Sequence, residues 1–229
     1  MKKLILLTVF LLVSNLVSAQ YVAFFRFKTT QPEMAVSTIS DMIESDFGKS
    51  IPATVNLFAL FFGGDDETTH MVTFDFMSEA DLQSFMTSWG ASKVAQLFGS
   101  KFDSFSTPIS QYIATPMYFK GDWTPDQVFM IWNFDVKDPG TFVQEFAAFT
   151  DAYVKKQAPA GSYGIGMPIV GQTPDFSHFV WVGSPDIATA LSFTKTMYAD
   201  PSFSDYSKKM AKVRTLKSTY LMQRLMTFK

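Results

Sequence analysis

The sequence predicts an α+β protein in which one βαββαβ unit is used twice. Three observations carry that reading. Segments rich in Phe, Val and Ile alternate with stretches whose apolar residues recur at helical spacing. These segments run strand, helix, strand, strand, helix, strand, and the order then repeats. Residues of matching type recur at a near-constant offset, led by the only two histidines, His70 and His178, which stand 108 residues apart.

In the first unit, Tyr21 to Lys28 is aromatic and β-branched and reads as a strand. Gln31-Pro32-Glu33 places proline at a first helical position with an acid behind it, and Val36, Ile39, Ile43 and Phe47 follow as the apolar stripe before Gly48. Thr54 to Phe62 is a second strand, and Gly63-Gly64-Asp65-Asp66 is turn chemistry leading into Thr69 to Phe76. Ser78 caps a helix carrying Leu82, Phe85 and Met86. A further helical piece spans Trp89 to Phe98 and stops at Gly99, and the closing strand covers about Ser110 to Tyr118.

The second unit repeats the order. Gln127 to Val136 is a strand, Asp138-Pro139 starts a helix, and Phe142, Phe146, Phe149 and Tyr153 form its stripe. Ser162 to Val170 and His178 to Val182 are strands around a turn at Gly171 to Asp175. Ser184-Pro185-Asp186 and Asp200-Pro201 open two helices, and Ser218 to Met226 closes the unit. Turns and strand ends keep the offset too: Gly63 matches Gly171, Ser84-Phe85 matches Ser192-Phe193, and Tyr112 matches Tyr220. A constant offset over most of the chain marks a duplication.

Lys2-Lys3, the apolar run Leu4 to Val13 and the small residues Val17-Ser18-Ala19 make a secretory signal peptide, cleaved after Ala19. The expected organisation is a signal peptide at 1–19, a first repeat at 20–119, a linker at 120–126 and a second repeat at 127–229. The expected location is periplasmic or secreted. Loss of Lys2 and Lys3 takes the net charge from −2 to −4. That balance argues against nucleic acid as a partner and against stable membrane association of the mature chain. With no cysteine, thiol chemistry and disulfides are excluded, so the core must hold the fold, and 25 Phe with 13 Met supply one.

A βαββαβ unit has the ferredoxin-like order, with an antiparallel sheet and helices on one face. The other face would carry Phe24, Met71, Phe179 and Trp181, too apolar to stay wet, so the two sheets are expected to close on each other around an interior. At this point the chain resembles the dimeric α/β-barrel superfamily, which includes antibiotic-biosynthesis-monooxygenase-like and stress-responsive barrel proteins. The resemblance runs from Tyr21 to Phe228 and rests on element order and strand pattern. It implies a tandem, pseudo-dimeric barrel; members include cofactor-free oxygenases or isomerases and heme binders, so it implies no single activity.

The antiparallel neighbourhood of first and third strands places His70 near Arg26 and Lys28, and His178 near Asn133 and Asp135. A cation should lower the first histidine's pKa and a carboxylate should raise the second's. Catalytic candidates are therefore His70, His178 and Asp135. Ligand-binding candidates are Arg26 and Asn133, with Trp132, Trp181, Tyr112 and Tyr220 lining an interior cavity. Phe146, Phe149, Phe193 and Phe203 are expected in the core. No metal-ligand spacing appears, and Gly161-Ser-Tyr-Gly164-Ile-Gly166 is not a dinucleotide fingerprint. The leading expectation is an exported module, without a catalytic motif or cofactor, that binds a small apolar or aromatic ligand, with homo-oligomerisation left open. The alternative is a cofactor-independent monooxygenase or isomerase with His70 or His178 as base; heme binding through a histidine is a third reading.

Overall fold

A computed structural model describes residues 21–171 and 176–228. The signal-peptide expectation at 1–19 lies outside the described residues, as does the 171–175 turn beyond Gly171. The first half contains β1 (Tyr21–Thr29), α1 (Pro32–Glu44), α2 (Asp46–Lys49), β2 (Thr54–Phe61), β3 (His70–Phe76), α3 (Glu79–Ala91), α4 (Lys93–Asp103) and β4 (Ser106–Lys120). The second contains β5 (Val128–Val136), α5 (Pro139–Tyr153), β6 (Tyr163–Val170), β7 (His178–Ser184), α6 (Ile187–Ala199), α7 (Pro201–Met210) and β8 (Arg214–Phe228).

The eight strands form a closed antiparallel barrel in the order β1-β3-β2-β8-β5-β7-β6-β4. Each half supplies a four-stranded ferredoxin-like sheet, and the two sheets join edge to edge through β2–β8 and β4–β6. Closure leaves no strand edge of the barrel unpaired. Alternation along each strand then divides the core into three. One cluster lies between the first sheet and its helices around Phe74, Phe76 and Phe85. Another lies between the second sheet and α5 to α7 around Phe134, Phe142 and Met210. The third fills the barrel, with Phe24, Phe58, Met71, Phe129, Phe179 and Trp181 among its members.

The duplication extends to local irregularities. The β1–β4 register slips at Arg26/Phe27 and the β5–β8 register at Asn133/Phe134. Helix caps recur as well. Ser78 accepts from the Asp81 N–H, and its counterpart Asp186 accepts from the Thr189 N–H. Ser92 and Asp200 likewise cap α4 and α7. Two boundaries differ from expectation. Trp89 belongs to the end of α3, and α4 runs through Gly99 to Asp103, because Ser92 starts a fresh helix whose backbone tolerates a glycine inside it. The closing strands are also longer than expected at both ends. Beyond the register slips their first residues stay paired with β1 and β5, and barrel closure gives their far ends a second partner in β6 and β2.

Candidate functional site

Both histidines open their third strand facing the helix layer, away from the barrel interior. His70 lies opposite Phe27, stacks on its ring at 5.6 Å between centroids, and has Nδ1 at 2.9 Å from Thr69 Oγ1. His178 lies opposite Phe134, with Nδ1 at 2.9 Å from Ser177 Oγ and its ring edge-on to Phe142 at 5.9 Å. The expected neighbours are not there. Strand pleating turns Arg26 and Asn133 to the opposite face, Asp135 is exposed, and Lys28 pairs with Glu67. Burial lowers both histidine pKa values, so His70 moves in the expected direction without a cation, and His178 moves opposite to the expected one. The Nε2 of His178 is buried without a protein partner among the described residues.

The largest opening at the sheet–helix interface is in the second half. It is a cleft of about 440 Å³ between the sheet and α5 to α7, walled by Trp132, Phe146, Phe149, Phe193, Phe203 and Tyr206. Trp132, expected to line the interior cavity, instead faces the helices with Phe134 and Val136 of the same β5 face, and its Nε1 donates to Tyr198 Oη at 2.7 Å. Phe146, Phe149, Phe193 and Phe203 belong to the second core cluster as expected, and they also wall this cleft. Arg214, the first residue of β8, reaches into it with its guanidinium 3.9 Å from the Phe134 ring centroid and 5.1 Å from that of Tyr206. No carboxylate pairs with Arg214 among the described ion pairs. Burial lowers its pKa, while the nearby Tyr206 and Tyr198 push the other way. Tyr206 is pushed by burial up to about 12, against the pull of Arg214, and its buried hydroxyl has no partner among the described residues. The first half has a smaller cleft, about 350 Å³, walled by Phe74, Trp89, Phe98 and Phe102.

The barrel interior is mostly filled. Arg26 closes one end by pairing with Asp66 and lies 5.9 Å from the Tyr220 ring centroid. Burial alone would raise the Asp66 carboxyl, but the Thr68 hydroxyl and N–H, at 2.6 and 3.0 Å, and Arg26 hold it below its ordinary value. Tyr112 stacks on Phe24 at 4.7 Å, and burial raises it and Tyr220, the latter to about 12. Asn133 donates to Ser218 Oγ at 3.0 Å, with its own Oδ1 buried and unpaired. Trp181 donates to Ser162 Oγ at 3.2 Å. Trp181 and Phe179 lie over Gly164 and Gly166, where a Cβ would collide with their rings. Thus Arg26, Tyr112, Tyr220, Asn133 and Trp181 share the interior, and the two histidines, Trp132 and Asp135 do not.

At the opposite end the interior keeps a cavity of about 90 Å³ reaching Asp75, Asn56, Thr73, Trp123 and Arg224. Asn56 Nδ2 donates to Asp75 Oδ2 at 3.1 Å and to Thr73 Oγ1 at 3.2 Å. Arg224 Nη2 donates to the Trp123 carbonyl at 3.0 Å, and Nη1 to that of Thr124. Burial raises the Asp75 pKa to about 6, although Thr73, Arg224, Trp123 and Asn56 all favour the ionised form. Arg214, Tyr206, Asp75 and Arg224 were missed in the sequence. A signal for all four was available at the repeat offset: Arg214 replaces Ser106, Tyr206 replaces Phe98, Asp75 corresponds to Gly183, and Arg224 replaces Pro116.

No family model matches the chain, and no curated protein matches it. Solved structures do. A candidate monooxygenase from Fusobacterium nucleatum is 15% identical, with a TM-score of 0.58 over 90% of this chain and 92% of that one. An anthrone oxidase-like protein is 12% identical at a TM-score of 0.57, covering 91% and 93%. A heme-binding protein from Thermus thermophilus is 8% identical at 0.54, covering 91% and 92%. The chain has the dimeric α/β-barrel fold in a single polypeptide. At these identities the likeness is one of fold, and activity does not transfer with it.

Proposed function

We propose that the protein binds a planar, largely apolar small molecule in the second-half cleft, with one anionic or strongly accepting group held by Arg214 and Tyr206. The observation that carries this reading is a guanidinium without a carboxylate partner beside an unpartnered tyrosine hydroxyl, both on one aromatic-walled cleft. A buried donor without an acceptor costs roughly 1–3 kcal/mol, and a ligand oxygen placed between the two would recover it. The aromatic walls supply area for a flat ring system, and the guanidinium lies over the Phe134 ring at 3.9 Å from its centroid.

Calorimetric titration with 2-naphthoate, against the neutral 2-naphthylmethanol, tests it. Naphthoate should bind saturably and more tightly, and Arg214→Gln should weaken it by about 10- to 100-fold, the equivalent of losing a charged hydrogen bond. Equal binding of both probes, or an unaffected variant, would sink the reading.

A second reading is a cofactor-independent oxygenase or isomerase acting on such a ligand. The observation favouring it is the unpartnered Nε2 of His178, whose protonation burial disfavours. The ring stands against Phe142 outside the cleft lining, so the reading requires a substrate that reaches past the Arg214 end of the cleft. Oxygen uptake or product formation with an anthrone substrate that survives in His178→Ala removes the histidine from that role. Heme fits less well: the cleft lining includes no histidine among the described residues, and both histidines lie outside it.

A further inference from the structure

The barrel interior is separate from the cleft, and its chemistry points to a different ligand. The cavity wall is apolar over most of its extent, with Phe24, Phe58, Met71, Phe129 and Met222 among its residues. Only one end is polar. There Asp75 and Arg224 face the same space, and Arg224 is 9% exposed, with its Nε buried and unpartnered. The cavity opens beside the half-buried Asp75, Thr115, Pro116 and Trp123, so the polar end is also the end that reaches solvent.

We propose that this interior is a second ligand site, for a neutral molecule of about three or four heavy atoms ending in a hydroxyl group. Size sets the first limit. An apolar cavity of roughly 150 Å³ accommodates benzene with its six heavy atoms, and about 90 Å³ scales to three or four. Charge sets the second. Arg224 lies in the field of Asp75, Asp126 and Asp122, which disfavours an added anion, and an added cation would have to share Asp75 with the guanidinium that already faces the same space. Burying an added charge there would cost more than the contacts return. Hydrogen bonding sets the third. The Arg224 Nε–H needs an acceptor, and the Asp75 carboxylate has room for one more donor beside Asn56, Thr73 and Trp123. A hydroxyl does both at once, and its short alkyl tail lies against Phe58, Phe129 and Met222.

The test uses whole protein with ¹³C-methyl methionine, titrated at pH 7.5 with 1-propanol, propylammonium and propionate. Met71 and Met222 report on the cavity, while Met42 and Met210, in the two sheet–helix cores, serve as references. Saturating shifts at Met71 and Met222 with 1-propanol, and at least tenfold weaker responses to the charged probes, are expected. Ala114→Leu, which fills the cavity from β4, should abolish the response, with its fold checked by circular dichroism. Should that variant not fold, Asp75→Asn keeps the shape, replaces an acceptor by a donor, and should weaken 1-propanol several-fold. Shifts that stay linear in the wild type, an undiminished response in the filled variant, or preference for either charged probe would overturn the proposal.

Discussion

The two halves share a backbone but have divided their polar chemistry between different layers. In the first half the barrel face carries Asn56, Thr73 and Asp75, and the equivalent second-half positions are Gly164, Trp181 and Gly183. In the helix-facing layer the bias is reversed. Arg214, Tyr206 and Tyr198 stand in the second cleft where the first half has Ser106, Phe98 and Gly90. The first half therefore supplies the polar side chains on β2 and β3 of the interior, joined there by Arg224 of β8, while the second polarises a cleft. Duplication explains the scaffold; the departures from it locate the chemistry. Histidines kept at equivalent places with equivalent Phe and hydroxyl neighbours belong to the scaffold by that criterion.

The most severe way to break this contrast is to give the second half the first half's barrel residue. Trp181→Thr removes a buried ring that lies over Gly164 and donates to Ser162. No side chain on Gly164 can move in to replace it. A cost of about 4 kcal/mol is expected, typical of large aromatic truncation, measured by urea unfolding. A loss under about 1 kcal/mol would mean that the aromatic plug is not what holds this side of the barrel.

Asp75 offers a sharper and smaller test, because the second half has Gly183 in its place. Its pKa rises on folding to about 6, so the folded state binds the proton more tightly than the unfolded chain does. The stabilising effect of protonation is present at pH 4 and disappears as the pH rises to about 6 and beyond. The wild type should lose about 2 kcal/mol between pH 4 and 7.5 relative to Asp75→Asn. Parallel pH profiles for the two proteins would show that the carboxyl is not confined by the barrel end.

Much of the fold was legible because it is written locally and twice: Pro139 after a capping Asp138, Ser78 before α3, and apolar runs that match at one offset. Strand parity was legible in part: Phe24, Met71, Phe179 and Trp181 are expected on the barrel face and lie there. With Met71 inward, pleating turns His70 to the helices and away from Arg26, so the expected neighbourhood fails on that same parity. On β5 both Ile131 and Trp132 are apolar and buried, so the pattern gives no sign that Trp132 faces the helices. Asp75 and Arg224 each stand out at the repeat offset, but that they meet at one cavity end was unreadable: it depends on the β2–β8 junction between the halves, whose register includes a slip at Leu57/Phe58. Arg214 and Tyr206 were readable in principle, by asking where one copy bears a charge or hydroxyl that the other lacks.

The mildest test concerns the helix that carries Tyr206. In α4 the position equivalent to Ser207 of α7 is Gly99, in the helix interior, where an added Cβ would meet nothing within 4 Å. Glycine there weakens the helix through backbone freedom in the unfolded chain and fills no structural need. Gly99→Ala should stabilise the protein by about 0.5–1 kcal/mol, raising Tm by roughly 2 °C. Ser207→Gly should lower it by a similar or smaller amount. The cleft readouts separate stability from function: Gly99 borders the first cleft, so the 2-naphthoate affinity of the second should be unchanged in Gly99→Ala. A change there would mean that the ligand occupies the first-half cleft, and that the polar asymmetry between the halves does not select the site.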